Sequence, residues 1–411
     1  MIRTLGRVAT LLVSVAILLI GHGLQLTLLP VRAGYLGWDA SLVALTGSAY
    51  FLGFVVGCLV IPSTVSRVAH IRTFMVMGAL ATLFLLGAGL LNNPYAWLFL
   101  RFGTGFAFSG LYMVIESWLG EASPKESRGS VLATYTMICL LGMTAGQGLL
   151  ALGSPGDLTL IAIGAVFLCL AIIPIGLTSM PAPAPIPRTR FSAKTLLRAS
   201  RVAVVCAFMG GLITGAIWAI GPLVGDAFQL SGAQIGLMMG AIILGGAVAQ
   251  LPVGRLSDRT DRRMVIGGLL ATGAAVSLLS WVIAGSGNGV LYLCMFSVGA
   301  CSMPIYALCI ANASDNSEVP LIEIASGILI MNSLGSIIGP LIASLMLASF
   351  GGPAFFLYTA VCFTLASTWA FYRLSVVERP HEHATGRILP KTTPVIAGLH
   401  TDEPTEDDSR K

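Results

Sequence analysis

Twelve apolar segments, each long enough to cross a bilayer, constrain this chain more than any other feature of its sequence. A helix needs roughly 20 apolar residues to span the hydrocarbon core. Soluble domains carry about 25% charged residues, whereas only 10% of this chain is charged and 56% is hydrophobic. The pattern therefore predicts an all-α membrane protein with twelve transmembrane helices. We place these helices at residues 8–30, 41–63, 73–92, 95–119, 130–152, 158–180, 202–225, 233–254, 264–285, 289–312, 322–349 and 353–374.

The second half of the chain repeats the first at an offset of 192 residues. Pro30, which we expect to end the first segment, returns as Pro222 at the end of the seventh. Gly53 in the second segment returns as Gly245 in the eighth. The repeat predicts two pseudo-symmetric six-helix bundles with a cavity between them, which is the plan of many secondary transporters.

The repeat also divides the chain. We expect a first bundle at residues 1–180 and a second at 201–375. The proline-rich and basic stretch at 181–200 suits a cytoplasmic linker. The polar stretch at 376–411 cannot bury enough apolar surface to fold alone, so we expect a disordered cytoplasmic tail.

The positions of the basic residues predict the topology, because cytoplasmic loops are enriched in Lys and Arg. With the N-terminus inside, 21 of the 23 basic residues fall on the cytoplasmic side. Arg32 alone falls outside, and Arg101 falls within a helix. We expect a multi-pass protein of the bacterial plasma membrane with both termini cytoplasmic. The net charge of +5 then reflects insertion into the lipid bilayer rather than a nucleic-acid partner.

Two short motifs carry a resemblance to a known family. Residues 254–263 read GRLSDRTDRR, which closely resembles the cytoplasmic loop signature of the major facilitator superfamily. The first-half copy, PSTVSRVAHIR at residues 62–72, departs from it, with Ser66 where the family has Asp and Pro62 where it has Gly. The run IESWL at residues 115–119 resembles the YcaD-like bacterial branch.

The resemblance implies a cytoplasmic gate. In the family, charges of this loop tie the two halves together when the cytoplasmic side is shut. By pseudo-symmetry Asp258 should meet the start of the fifth helix near Arg128, and Arg67 should meet Glu323. The alternative that stays open is that these charges only end helices and fix topology. The expected gate residues are Arg67, Arg128, Asp258, Arg259, Arg262 and Glu323.

An ionisable side chain inside an apolar segment suggests a structural or functional role, because placing it in hydrocarbon costs at least a few kcal/mol of free energy. Arg101, with Gly105 one turn later, resembles a fourth-helix motif of the family. Arg101, Tyr112 and Glu116 share one helix face, which we expect to look into the central cavity. Alternatively, Arg101 bonds to backbone, and Glu116 pairs with Arg67 or Arg128.

Other polar or aromatic residues of the lining helices complete the candidate set. The family resemblance implies that the first and seventh helices line the cavity. The substrate-cavity candidates are His22, Gln25, Arg101, Tyr112, Trp218 and Asn332. Because histidine titrates near neutral pH, His22 joins Arg101 and Glu116 as a candidate for proton coupling. Packing is the competing explanation for His22.

Together these features predict a secondary active transporter that moves a small organic solute by alternating access. We expect coupling to protons, with the direction of transport open. An uncoupled facilitator and a non-transporting membrane sensor remain as alternatives. The sequence contains no H-E-x-x-H or G-x-S-x-G motif. We therefore expect no enzymatic activity, no cofactor and no metal.

Overall fold

A computed structural model describes residues 2–122, 128–178, 197, 199–315, 317 and 321–376. Only the backbone is described at residues 2–8, 120–122, 128–130, 132–133 and 321–322. The described residues form thirteen α-helices. They are α1 (Ile2–Tyr35), α2 (Ala40–Val68), α3 (His70–Leu90), α4 (Pro94–Ala122), α5 (Arg128–Gly148), α6 (Thr159–Gly176), α7 (Arg201–Ala227), α8 (Gly232–Arg259), α9 (Arg262–Ile283), α10 (Asn288–Ser302), α11 (Ile305–Ser314), α12 (Leu321–Phe350) and α13 (Ala354–Val376).

These helices account for all twelve predicted apolar segments, and within the described residues twelve spans are long and apolar enough to cross a membrane. The tenth span consists of α10 followed by α11. It breaks at Met303 and Pro304, because proline has no N–H to continue the hydrogen bonds of α10, and Pro304 is the N-cap residue of α11. The prediction of an all-α membrane protein with twelve spans is confirmed.

One detail of the sequence interpretation is wrong. Pro30 and Pro222 do not end their segments: both lie inside helices, and five residues follow each of them before α1 and α7 end. A proline removes one backbone hydrogen bond, but ending a helix in lipid would expose several polar groups that have no water to bind. Continuing the helix is therefore the less costly solution in both halves.

The two halves pack in the same pattern. In the first, α1 contacts α5 and α6, α2 contacts α4, and α3 contacts α6. In the second, α7 contacts α12 and α13, α8 contacts α10, and α9 contacts α13. This correspondence confirms the two pseudo-symmetric bundles. The proposed linker at 181–200 and tail at 376–411 lie almost wholly outside the described residues, so the domain boundaries stay predictions.

The glycine repeat has a direct structural role. A Cβ atom at Gly53 would overlap the carbonyl oxygen of Phe102, where α2 crosses α4. A Cβ atom at Gly245 would overlap the carbonyl oxygen of Phe296, where α8 crosses α10. Small residues allow such backbone contact between membrane helices, where dispersion and hydrogen bonding provide the attraction.

The bundles meet closely at the end of the molecule where α1 ends and α2 begins, which we call the sealed end. There Ser48 Oγ donates to the carbonyl oxygen of Ile337 at 2.6 Å and joins α2 to α12. Gly236 of α8 lies against the carbonyl oxygen of Gln147 of α5, with no room for a Cβ atom. Both contacts join one bundle to the other, so this end is closed by direct packing.

Arg32, the basic residue that breaks the charge pattern, is built into the sealed end. Its side chain is 3% exposed. Nη1 donates to the carbonyl oxygens of Pro155 and Gly156, both at 2.9 Å, and of Asp157 at 3.2 Å. Nη2 donates to the carbonyl oxygen of Gly89 at 3.0 Å. Arg32 thus binds the last turn of α3 and the turn before α6, which explains its position opposite to the other charges.

We expect Arg32→Gln to destabilise the first bundle. The change removes charged donors from four backbone carbonyl oxygens that have little access to water, at about 3 kcal/mol in all, given 1.5–3 kcal/mol for a hydrogen bond to a charged group. The apparent melting temperature of the detergent-purified protein, followed by tryptophan fluorescence, should fall by roughly 5 °C or more.

Two matched variants complete this test. Arg32→Lys keeps the charge and part of the bonding and should lie between the wild type and Arg32→Gln. Arg72→Gln removes an exposed arginine and should leave the melting temperature unchanged. An unchanged melting temperature for Arg32→Gln would contradict the structural role of this side chain.

Candidate functional site

A cavity of about 240 Å³ lies between the two bundles, near the middle of the spanning helices. Helices of both halves line it: α1, α2, α4 and α5 from the first, and α7, α8 and α12 from the second. Its wall is mostly apolar and aromatic, with a few polar groups, as is usual for small-molecule sites. The lining residues are His22, Leu26, Tyr50, Phe51, Phe54, Tyr112, Thr136, Cys139, Leu140, Met143, Trp218, Ile243, Gly246, Ala247, Gln250, Met303, Leu329, Ser333 and Ser336.

His22 lies at the centre of an aromatic cluster on the first-bundle wall. Its ring centroid is 3.8 Å from that of Phe108, 5.9 Å from that of Tyr112 and 6.4 Å from that of Tyr50. The histidine is 3% exposed. Aromatic packing on several sides fixes the orientation of the imidazole ring, and His22 is also one of the residues that line the cavity.

A hydrogen bond from Gln25 sets the tautomer of His22. The amide Nε2 of Gln25, three residues later on α1, lies 3.1 Å from Nδ1 of His22. With the amide as placed, Gln25 donates and Nδ1 accepts, so the neutral ring carries its proton on Nε2. His22 therefore has an N–H donor at Nε2, and the hydrogen bond from Gln25 to Nδ1 restrains the ring.

Arg101 lies beneath the aromatic cluster, because α4 approaches α2 closely one turn away. A Cβ atom at Gly105 would overlap the carbonyl oxygen of Tyr50, so the two backbones touch there. This contact places the Arg101 guanidinium over the Tyr50 ring, with Cζ 4.8 Å from the ring centroid, a cation–π geometry. The pairing of Arg101 with Gly105 in the sequence thus has a geometric cause.

The charge of Arg101 is buried and not neutralised by a neighbouring carboxylate. The side chain is 2% exposed, and its Nε and Nη1 atoms have no hydrogen-bond partner. None of the ion pairs formed by the described residues includes Arg101. Glu116 lies 15 residues further along α4, about 22 Å away at 1.5 Å per residue.

The structure divides the six predicted cavity residues into two groups. His22, Tyr112 and Trp218 line the cavity. Gln25, Arg101 and Asn332 do not. Asn332 instead donates to the carbonyl oxygen of Ala207 at 3.0 Å and joins α12 to α7. The expectation that all six face the cavity is therefore wrong for three of them in this structure, because each of these three lies behind a lining side chain or between helices. Their roles in function stay predictions.

Glu116 is a fully buried carboxyl group, 0% exposed, near the end of the molecule opposite the sealed end. Tyr135 of α5 donates to its Oε1 at 3.3 Å. Cys58 of α2 and Tyr306 of α11 also interact electrostatically with the Glu116 carboxyl group. Glu116 does not line the cavity, and exposed Arg67 forms no ion pair with it among the described residues. Its neighbours come from both bundles.

The ion pairs that the gate charges form with other described residues lie within the second bundle. Asp258 pairs with Arg262 at 3.3 Å, and Arg262 also binds Asp315 at 2.5 Å, all within the second bundle. Arg67, Asp258 and Arg259 are exposed, and Glu323 is half-buried. Among the described residues neither Arg67 nor Glu323 forms an ion pair. The side chain of Arg128 lies outside the described residues.

Sequence reasoning missed several polar residues of the cavity. Tyr50 and Gln250 line it, as do Ser333 and Ser336 of α12. Each is a polar residue inside an apolar segment, and this feature of the sequence could have identified it as a cavity candidate. Ser336 lies in the second-half run GSIIGP at residues 335–340, where its hydroxyl also donates to the carbonyl oxygen of Gly211 at 3.2 Å.

The sequence matches a known family over nearly its whole length. The profile of the Major Facilitator Superfamily matches residues 11–203 and again residues 203–401. An uncharacterised MFS-type transporter of Enterobacter sp. strain 638 is 25% identical over 382 residues, covering 92% of this chain and 97% of the relative. The uncharacterised MFS-type transporter YcaD of Escherichia fergusonii is 25% identical, covering 81% of this chain and 87% of the relative.

Solved structures share the fold at low identity. The nucleoside transporter NupG superposes with a TM-score of 0.69 at 13% identity, covering 91% of this chain and 100% of that one. A variant of the fucose:proton symporter FucP of E. coli gives 0.58 at 17% identity, with coverages of 89% and 98%. The human organic anion transporter MFSD10 gives 0.60 at 18%, with coverages of 88% and 98%.

The double match of the family profile agrees with the two bundles and with the loop signature at residues 254–263. This chain belongs to the major facilitator superfamily, and bacterial YcaD-like MFS-type transporters are among its relatives.

Proposed function

We propose that this protein is a secondary active transporter that moves a small organic solute across the bacterial inner membrane by alternating access, coupled to protons. The observation that carries the proposal is a cavity lined by both bundles and closed on one side by the sealed end. A site shared by two pseudo-symmetric halves opens to one side or the other when the halves rock. The basic residues of the loops support cytoplasmic termini, which makes the sealed end periplasmic.

The gate charges fit this state. In a conformation closed at the periplasmic side, the cytoplasmic latch is expected to be released. Asp258 then pairs inside its own bundle with Arg262, and Arg67 stays exposed. In the opposite state we expect Asp258 to approach the start of α5, near Arg128, and Arg67 to approach Glu323.

Glu116 is the coupling candidate that the geometry favours over His22 and Arg101. Among the described residues Glu116 is the one Asp or Glu side chain that is fully buried, and a carboxyl group can bind and release a proton. Its partner Tyr135 belongs to α5, which packs on α8 of the other bundle. Rocking of the bundles would alter the surroundings of Glu116, and with them its tendency to hold a proton. The fucose:proton symporter shares the fold, although at 17% identity it supports only the architecture.

A disulfide across the sealed end should arrest transport. A Cβ atom at Gly240 of α8 would lie 3.8 Å from Cγ2 of Thr144 of α5, so Thr144→Cys with Gly240→Cys joins the bundles without a clash. In a background free of the eight native cysteines, copper phenanthroline should reduce solute flux into proteoliposomes to the level of empty vesicles, and dithiothreitol should restore it.

The matched control places a disulfide within one bundle. Thr359 Oγ1 and Ser277 Oγ lie 3.1 Å apart, both in the second bundle. Oxidation of Thr359→Cys with Ser277→Cys should leave flux intact. Undiminished flux through the fully oxidised Thr144–Gly240 variant would contradict alternating access through this cavity. The solute is first found by screening sugars, nucleosides, amphipathic amines and organic acids.

Glu116→Gln should separate solute movement from proton movement. The amide keeps a hydrogen-bond acceptor for Tyr135 but cannot take up a proton. We expect solute-driven proton flux, recorded with a pH dye inside the vesicles, to fall to the level of empty liposomes, while exchange of labelled for unlabelled solute continues. Asp226→Asn, which changes an exposed carboxylate at the sealed end, should retain both activities.

His22→Gln distinguishes the two titratable candidates. If Glu116 carries the proton, this variant should bind solute more weakly but keep its proton flux for each solute moved. Loss of proton flux in His22→Gln, with Glu116→Gln still coupled, would transfer the role to His22. Solute flux without proton movement in the wild type would make the protein an uncoupled facilitator.

A further inference from the structure

The cavity lies beside a positive charge that the fold itself does not need. The internal repeat supplies the comparison. Gly299 of α10 meets the carbonyl oxygen of Ile242 just as Gly105 of α4 meets that of Tyr50. One turn before each glycine stand Arg101 and Met295.

Met295 is 0% exposed and fills in the second bundle the place that Arg101 fills in the first. An apolar side chain thus satisfies the packing of this helix crossing. A buried guanidinium costs free energy in hydrocarbon, and packing does not require it here. The Tyr50 ring gives Arg101 a cation–π contact, but no carboxylate among the described residues pairs with its charge.

The wall next to Arg101 carries two tyrosines whose hydroxyl groups form no hydrogen bond within the described part of the chain. These are Tyr50 and Tyr112, which both line the cavity. His22, whose Nδ1 is taken by Gln25, lines the same cavity. The guanidinium on one face of the Tyr50 ring increases the donor strength of its hydroxyl through its field, because the surroundings screen charge weakly.

The lining contains no charge of the opposite sign. Among the described residues, none that lines the cavity is Asp or Glu. Two nitrogen atoms of Arg101, Nε and Nη1, have no hydrogen-bond partner among the described residues. Positive potential and unused donors at one wall favour an anionic group there, whereas a cation would meet repulsion and find no carboxylate.

We propose that the cavity binds a small organic anion, a carboxylate on an aromatic or apolar body, with its charge directed toward Tyr50, Tyr112 and Arg101. This assignment rests on the proposed transport function and specifies its substrate class. The body of the solute lies against Phe54, Trp218 and Met303, which supply aromatic and thioether surface. A cavity of about 240 Å³ suits a molecule with one or two rings.

Binding of matched acid and amide probes tests the assignment without reference to transport. The probes are benzoate and benzamide, phenylacetate and phenylacetamide, and indole-3-acetate and indole-3-acetamide. The acid and the amide of each pair have nearly the same shape, but only the acid is charged at neutral pH. Dissociation constants are measured at neutral pH by calorimetry on the full-length protein in lipid nanodiscs. At least one acid should bind about tenfold or more tightly than its amide, as expected when a buried positive charge behind the cavity wall acts on the bound anion through a weakly screening interior.

Arg101→Met copies the residue that the second bundle uses, so the variant should fold. We expect the ratio of the two dissociation constants to fall close to one in this variant, and Arg101→Lys to keep most of the preference. Arg255→Met, which removes an exposed arginine, should leave the ratio unchanged. Melting temperatures of all variants establish that the protein is folded in each measurement.

The outcomes separate this proposal from the transport function. Amides that bind as tightly as their acids, acids that do not bind, or a preference that survives in Arg101→Met would each overturn the anion assignment. If a neutral or cationic solute crosses the membrane and the Thr144–Gly240 disulfide stops it, the transport function stands and the assignment fails. Acid-selective binding that depends on Arg101 supports the assignment even where flux is absent.

Discussion

The hydrocarbon core of the bilayer offers no hydrogen-bonding partner, and this constraint governs the whole structure. Every backbone group that crosses must be paired within the protein, so the chain is helical throughout its spans. For the same reason α1 and α7 continue beyond Pro30 and Pro222. Ending a helix there would leave more backbone N–H and C=O groups unpaired than the proline does. The constraint also explains Arg32, whose donors meet backbone carbonyl oxygens where α3 ends and α6 is about to begin.

Lipid supplies no hydrophobic drive for helices to associate, so close backbone contact becomes the main source of specificity. Gly53 and Gly245 repeat one such contact in both halves. Gly105 and Gly299 repeat another, and there the two halves differ chemically, with Arg101 in one and Met295 in the other. Duplication gives the architecture its symmetry. This departure from symmetry marks Arg101 as a residue that the architecture does not require, and it lies behind Tyr50, a residue of the cavity wall.

The candidate site was only partly predictable. His22, Tyr112 and Trp218 face the cavity as expected, because a polar or aromatic residue on a lining helix often does. Arg101 shares a helix face with Tyr112, yet Tyr50 of α2 lies between the guanidinium and the cavity. Helix periodicity gives the direction of a side chain from its own axis, but it says nothing about a side chain that a neighbouring helix inserts in front.

The gate shows a related limit. Asp258 and Arg262 of the loop signature at residues 254–263 lie at the end of the molecule opposite the sealed end, and we expect their partners to depend on which state the bundles occupy. In this state Arg262 binds Asp258 and Asp315 of its own bundle. Ion pairs between rigid bodies change as the bodies move, so one sequence is compatible with both pairings.

By itself the sequence determined the twelve spans, the duplication, the expected orientation of the loops and the family, because segment length, periodicity, charge and motifs are local properties. The tertiary structure decided which end is sealed, which polar residues reach the cavity, and that Arg101 stacks beneath Tyr50. Those features depend on the distance between helix backbones. Contacts between glycines and carbonyl oxygens set that distance, and the chain brings such partners together only when it is packed.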